Sequence, residues 1–429
     1  MIKIQKYYFT LVLLVISLAV MAQSTTNSPY SKFGLGTIKG AYLPQNKGMG
    51  NLAFGISSYG GYQNINISNP ASYAHIRLTT FDIGASGEIQ NLNKNGLSEK
   101  GFNGALSHLA FAIPVTQKSA LSFGLLPYSN LGYNFTNAAR VDTFNIEHIY
   151  SGEGGLSKAY LGYGIQLGKH FSVGANVTYL FGNLKQSAST EFSKYIGFLN
   201  SRKQTENSVG GLVAEYGVQY TTALNKKTKL TIGYAGNANT NLHTSNKILY
   251  TRYQKDISTD REFVSDSSLF KNNASGKLLL PTSNNFGFSI QKLNHWLIGA
   301  DFRTTGWAQL VRNDVNQNLN NSWGVSVGGQ ITPNINAIAN YLALIDYRVG
   351  INYDKTYMNV SQIDIKSSSL NLGLGLPLLS GRSTFYKINL AAEIGKRGTT
   401  YNNLVKEKFV NIHLGFTIND RWFQKYKFD

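Results

Sequence analysis

The sequence predicts an all-β fold, a transmembrane antiparallel β-barrel of about fourteen strands with an N-terminal plug in its lumen. Three observations carry that expectation. Apolar and polar residues alternate with period two from Leu78 to near the C-terminus. An apolar leader sends the chain out of the cytoplasm. Charged residues make up only 14% of the chain, whereas aromatics reach 12% and glycines number 43; a soluble domain usually carries about a quarter charged residues.

In the leader, Lys3 and Lys6 precede an unbroken apolar run from Tyr7 to Val20, and Val20-Met21-Ala22 places compact side chains before Gln23. Residues 1–22 read as a secretory signal peptide cleaved near Ala22. A spanning helix needs roughly 20 apolar residues, so the run is too short for an anchor. Cysteine is absent, which excludes a lipoprotein, disulfides and thiolate metal sites and leaves a closed hydrogen-bond ladder to hold the fold.

Residues 23–77 lack the alternation of the barrel region. Phe33-Gly34-Leu35-Gly36, Gly48-Met49-Gly50-Asn51, Gly60-Gly61 and Ser68-Asn69-Pro70-Ala71, with Pro29 and Pro44, break regular structure. A free tail is the alternative to a plug, but such a tail is more charged and less aromatic. Tyr30, Phe33, Tyr42, Phe54, Tyr59, Tyr62 and Tyr73 need something to pack against.

The barrel is expected over 78–418. In the first strand Phe81, Ile83, Ala85 and Ile89 alternate with Asp82, Ser86, Glu88 and Gln90, giving one apolar face and one wet face. Further strands are expected at 102–115, 119–134, 156–167, 170–184, 209–224, 229–242, 278–291, 296–310, 321–332, 345–356, 362–377, 383–396 and 407–418, after a first at 78–91. Short turns such as Gly168-Lys169-His170 alternate with longer polar connections at 135–155, 185–208 and 243–277; the stretch 333–344 fits neither class. A soluble β-sandwich would alternate too, but its strands run to about five or six residues. After the last strand, 419–429 forms an aromatic-basic tail in which Trp422, Phe423, Tyr426 and Phe428 mix with Arg421, Lys425 and Lys427, a composition suited to the membrane interface.

The balance of 40 Lys+Arg against 22 Asp+Glu gives a net charge of +18. Because the charges are spread through loops and turns, they point to anionic lipid headgroups as partner and not to nucleic acid. His75, His108, His148, His170, His243, His295 and His413 are scattered without metal or triad spacing, and glycine clusters such as Gly152-Glu153-Gly154-Gly155 precede no helix. No catalytic residue, metal or cofactor is expected. Lumen-facing charges are expected at Asp82, Glu88, Glu215, Asp301, Arg303, Arg348, Asp354, Lys387 and Glu393, as an ion-pair network against the plug or as a substrate path. Of the eight prolines, Pro127 is the one placed inside a strand, within Gly124-Leu125-Leu126-Pro127-Tyr128; it cannot donate to the ladder and should bend the strand or end its pairing.

Asn69-Pro70-Ala71 before the first strand, the glycine turns ahead of it, Leu280-Pro281 before Phe286-Gly287-Phe288-Ser289, Gly395-Lys396-Arg397-Gly398 and Asn419-Asp420-Arg421-Trp422-Phe423 resemble the FadL-type outer-membrane transporters of hydrophobic compounds, in particular those of Bacteroidetes. The resemblance spans nearly the whole mature chain. It implies passive uptake of fatty-acid or aromatic-hydrocarbon ligands across the outer membrane of a Gram-negative bacterium, a hatch held by Asn69, Pro70 and Ala71, and lateral release into lipid through a kink in the third strand, where Pro127 falls. A different class stays open beside it: a FadL-like barrel without transport that serves as a structural subunit of an outer-membrane secretion or assembly complex. A general porin, lacking a plug, is a third.

Overall fold

The computed structural model describes residues 28–59, 63–192, 197–256, 258–378 and 384–422. The expected leader with its cleavage site and residues 423–429 of the expected tail lie outside the described residues.

Fourteen strands form the wall: β1 (Thr79–Lys94), β2 (Leu97–Thr116), β3 (Ser119–Val141), β4 (Phe144–Leu167), β5 (Phe171–Glu191), β6 (Asn200–Ala223), β7 (Thr228–Asn237, resuming as Thr240–Lys255), β8 (Glu262–Leu280, resuming as Ser283–Lys292), β9 (Trp296–Thr305), β10 (Ser322–Ile331), β11 (Asp346–Val360), β12 (Ile363–Pro377), β13 (Phe385–Gly398) and β14 (Lys406–Asp420). Each pairs antiparallel with its neighbours, and β14 closes on β1 from Asp420↔Thr79 to Lys406↔Asn93. The alternation decides which face points where. On β14, Ile412 and Leu414 are about half exposed on the outer face, while Thr417, Asn419 and Glu407 are buried inside. Closure of β14 on β1 leaves no free outer strand, so most of the ladder is satisfied internally, as an apolar solvent requires.

The long connections expected at 135–155, 185–208 and 243–277 are instead mostly strand. β3 continues to Val141 and β4 starts at Phe144 across a tight turn with Asp142 at φ 52°. Outside the lipid the outward positions no longer need apolar side chains, so the period-two signal fades although the ladder goes on. Asn95 and Gly96, at φ 49° and 81°, make the equivalent tight turn between β1 and β2, where both positions need the left-handed region. The strand expected at 278–291 is broken at Pro281, which has no N–H for the ladder. The one expected at 296–310 stops at Thr305, and the chain then folds across the bore through Trp307–Gln309 and a small hairpin whose Val311 and Arg312 pair with Leu279 and Leu278. The stretch 333–344 ends in a 3-10 turn, Tyr341–Leu344, with Ile338 fully exposed.

Both ends of the wall, Thr79 and Asp420, lie at one rim, and the long hairpins rise from the other. Outer-membrane barrels carry short periplasmic turns and longer extracellular connections, which orients the molecule. The segment from Ser28 to Leu78 meets inward-facing side chains of many strands. Ser289 Oγ of β8 donates to Gly55 O at 2.6 Å, Asn371 Nδ2 of β12 to Lys47 O at 2.9 Å, and Asn419 Nδ2 of β14 to Gln63 O at 2.9 Å. Its turns, Pro29–Lys32, Pro44–Lys47 and Pro70–His75, each begin on a proline, which suits the first helical position.

Candidate functional site: a filled bore and an open seam

The outer half of the bore is packed with apolar side chains. Tyr30 and Leu35 from the inner segment, Leu156, Leu180 and Leu278 from the wall, and Trp307, Leu310 and Leu319 from the chain crossing the bore form one buried apolar cluster. Near the other rim Leu43, Ile65, Ile67, Tyr73 and Ile76 of the segment pack on Ala110, Ala112, Ala120 and Tyr160 of the wall.

Around these clusters the charges expected to face the lumen are placed in networks. Asp346 Oδ2 accepts from Arg348 Nη2 at 2.8 Å and from Lys387 Nζ, while Thr332 Oγ1 donates to its other oxygen at 2.7 Å. Arg348 also donates to Gln330 and Asn389, each at 2.8 Å. Arg303 pairs with Asp354 at 2.8 Å, and Asp301 Oδ2 accepts the backbone N–H of Ala53 at 2.7 Å and of Phe54 at 3.0 Å. Glu215 pairs with Lys158 at 2.9 Å, Glu88 with Lys39 at 3.2 Å, and Glu393 accepts from Asn411 Nδ2 at 3.0 Å with His413 at 3.9 Å. The remaining space is a cavity of about 410 Å³ whose lining includes Lys39, Glu88, Lys158, Glu215, Arg303 and Asp354.

Scattered along the chain as the histidines are, one of them, His108, meets a carboxylate across the sheet. Its Nε2 lies 2.7 Å from Asp82 Oδ1 and its Nδ1 2.8 Å from Ser107 Oγ, with Thr417 Oγ1 donating to Asp82 Oδ2 at 2.8 Å. The residue types are those of a triad, but the ring and the carboxylate are only 3% and 0% exposed, so the chain of bonds crosslinks strands. Spacing along the chain hid it, because the β1–β2 register, Gly84↔His108, makes neighbours of residues 26 apart. Asp346 and Lys158 were missed as well. Asp346 shares the inward face of β11 with Arg348, a parity signal two residues away.

Asn69 does not bond strand backbone, as a hatch anchor was expected to. Its Nδ2 donates to Phe54 O at 2.8 Å within the segment and its Oδ1 caps Ala71 N at 3.1 Å, with Pro70 and Ala71 buried in the turn that begins there. The link to the wall at that point comes from Gln219 of β6, whose Nε2 also donates to Phe54 O, at 3.1 Å. Two basic groups of the segment are perturbed. Burial, with Arg77 and Lys229 nearby, holds the His75 imidazole down at about 4, and burial lowers the Lys47 ammonium.

Among the described residues the wall opens into a seam between β2 and β3. β2 and β3 pair only from Thr116↔Ser119 to Leu109↔Leu125, yet β2 runs on to Leu97 and β3 to Val141. Gly124 and Leu125 are the last residues of β3 paired with β2; Leu126, Pro127 and Tyr128 lie beyond. A register shift between Pro127 and Ser129 also interrupts the β3–β4 ladder. The inner segment takes up part of the freed edge: Thr37 and Ile38 pair with Asn130 and Ser129, Lys39 N donates to Tyr128 O at 2.8 Å and Ser28 N to Gly132 O at 3.0 Å. A space of about 90 Å³ between Leu106 and His108 on one side and Leu126 and Pro127 on the other marks the gap. Pro127 is not the sole proline inside a strand, since Pro114 lies within β2 beside a register shift of its own and Pro377 ends β12.

The fold is that of a closed fourteen-stranded antiparallel barrel, and the barrels similar to it in shape are FadL-type. The solved structures similar to it include the CymD monoaromatic hydrocarbon channel (13% identity, 91% of this chain and 99% of that one, TM-score 0.56). They also include a Pseudomonas aeruginosa FadL homologue (13% identity, 90% and 100%, TM-score 0.57) and the Ralstonia pickettii toluene transporter TbuX (12% identity, 89% and 98%, TM-score 0.57). At such identities the likeness is one of fold. The BamG family model matches residues 1–429, and the chain belongs to that family. No curated protein sequence matches it.

Proposed function

We propose that this barrel is a structural, non-transporting subunit of an outer-membrane secretion or assembly complex, with the segment before β1 serving as a fixed plug. The filled bore carries the reading. A hydrophobic ligand entering from outside would have to displace the apolar cluster around Trp307 and Leu310, and would then meet a cavity lined by charged groups. Such groups are costly to strip of their partners and offer little to a greasy molecule. Copurification from gently solubilised membranes tests it. A stoichiometric protein partner is the expected result; a barrel that purifies alone with a bound acyl chain or aromatic compound overturns it.

The seam favours a second reading, passive uptake of fatty acids or aromatic hydrocarbons with lateral release into the membrane. CymD is a monoaromatic hydrocarbon channel and TbuX a toluene transporter. A gap that starts beside Pro127 would let a ligand pass into lipid without exposing its apolar surface to periplasmic water, at about 25 cal/mol for each Å². In that case Asn69, Pro70 and Ala71 hold a hatch that must shift. Uptake by the parent protein, by a deletion of residues 24–70 and by Pro127→Ala separates the two, since equal or absent uptake in all three removes the channel.

A further inference from the structure

The outer face of the wall carries a hollow of about 920 Å³ where a barrel surface is normally convex. Its floor is apolar: Ile89, Val327, Ile351, Leu370, Ile394 and Val410, drawn from β1, β10, β11, β12, β13 and β14. Contacts on the inner side of the same wall account for the dent. Any side chain at Gly350 would collide with the backbone of Met49, and Asn371 is tied to Lys47 O, so the sheet lies directly on the inner segment.

The upper lip of the hollow is basic. Lys100, Lys396 and Lys408 line it, are exposed, and form no ion pair among the described residues. The ladder sets them in one row, with Lys396↔Lys408, Lys408↔Asn91 and Asn91↔Lys100. Strands are about 4.8 Å apart, so Lys396 and Lys408 are adjacent and the whole row to Lys100 spans about 14 Å at the backbone, a distance that flexible lysine stems can shorten toward a shared anion. Lysines directly opposite across a pair repel and destabilise a sheet unless an anion lies between them.

Their height matches the membrane surface. On β14, Ile418, Phe416, Leu414, Ile412 and Val410 face outward in turn, and Lys408 is the next outward residue. That apolar run covers about 27 Å of strand, or roughly 20 Å along the membrane normal at the usual tilt, close to the apolar band of such barrels. Trp323 and Tyr353, with ring centroids 5.6 Å apart, stand near the same level, as interfacial aromatics do.

We propose that the hollow is a binding site for a net-anionic, phosphate-bearing membrane lipid of the extracellular leaflet, its acyl chains on the apolar floor and its uncompensated phosphate charge on Lys100, Lys396 and Lys408. The inference depends on the barrel's place in the membrane and is independent of both functional readings above.

The experiment uses the full chain in nonionic detergent, with phosphatidylglycerol and phosphatidylcholine as probes and native mass spectrometry as readout. The triple variant Lys100→Gln, Lys396→Gln, Lys408→Gln should lose phosphatidylglycerol affinity on the order of tenfold or more and keep its phosphatidylcholine binding. A control, Lys226→Gln with Lys227→Gln in the turn at the opposite rim, should bind both lipids as the parent does. Phosphatidylglycerol with a photoactivatable acyl chain should label Ile351, Leu370 and Ile394. Unchanged phosphatidylglycerol affinity in the triple variant, an equal loss for both lipids, or labelling spread evenly around the belt would overturn the assignment.

Discussion

The Asp301 carboxylate of β9 accepts the backbone N–H of Ala53 at 2.7 Å, joining the middle of the wall to the middle of the inner segment. The same oxygen takes the N–H of Phe54. Asp301→Ala leaves two buried donors without an acceptor, at about 1–3 kcal/mol each. Unfolding by guanidinium in micelles should show a loss of roughly 2–5 kcal/mol, and proteolysis should reach residues 28–78 sooner. Asp301→Asn keeps an acceptor oxygen and should lose less. An unchanged unfolding midpoint in Asp301→Ala would mean that the segment is held without this tether.

Asp346 sits between two cations, Arg348 and Lys387, all three buried. Asp346→Asn removes the carboxylate that pairs with both, and breaking a buried pair in this way costs about 3–5 kcal/mol. Replacing all three residues by apolar ones of similar volume should cost far less. Denaturant midpoints for the two variants decide whether charge or volume matters at this site.

Lys39 makes two separable contacts beside the seam: its N–H donates to Tyr128 O and its ammonium pairs with Glu88. Lys39→Pro removes both, whereas Lys39→Ala removes the partly buried ion pair alone. Amide exchange at Ser129 and Asn130 should quicken in the proline variant and stay near the parent rate in the alanine variant. Equal rates in both would show that the freed edge of β3 does not depend on the segment.

His75 gives acid sensitivity of a definite sign. The buried imidazole protonates only near pH 4, whereas in the unfolded chain it does so near its ordinary value of 6.5. Between those values the unfolded chain binds more protons, so its contribution to stability is full above about pH 6.5 and falls as the pH drops toward 4. His75→Gln should flatten that part of the profile, read as unfolding midpoints across the window. A slope that survives the substitution would assign the effect to other groups.

The wall was legible in the sequence because lipid contact forces strict alternation, as Phe81 to Gln90 illustrates. Its limits lie where that force ends: Asp142 and Asp256 stand in extensions beyond the lipid, and polar strand reads like polar loop. Charges such as Arg303 and Glu393 were readable by parity. Their partners were not, since whether Asp301 meets a cation or the backbone of Ala53 depends on register and on the path of a segment without periodicity. Pro127 could be read as a disruption of the third strand. That its neighbour Tyr128 would be capped by Lys39 could not, because nothing local specifies a contact between residues about ninety positions apart.

The part of the polypeptide synthesised before the wall ends up innermost. Ser28 bonds Glu407 of β14, and Gln63 bonds Asn419 on the same strand, so the opening of the chain is fastened to its close. Once β14 has joined β1, a stretch of some fifty residues with its own buried turns has no route into so crowded an interior. The packing favours an order of assembly in which that stretch is seated before β14 meets β1.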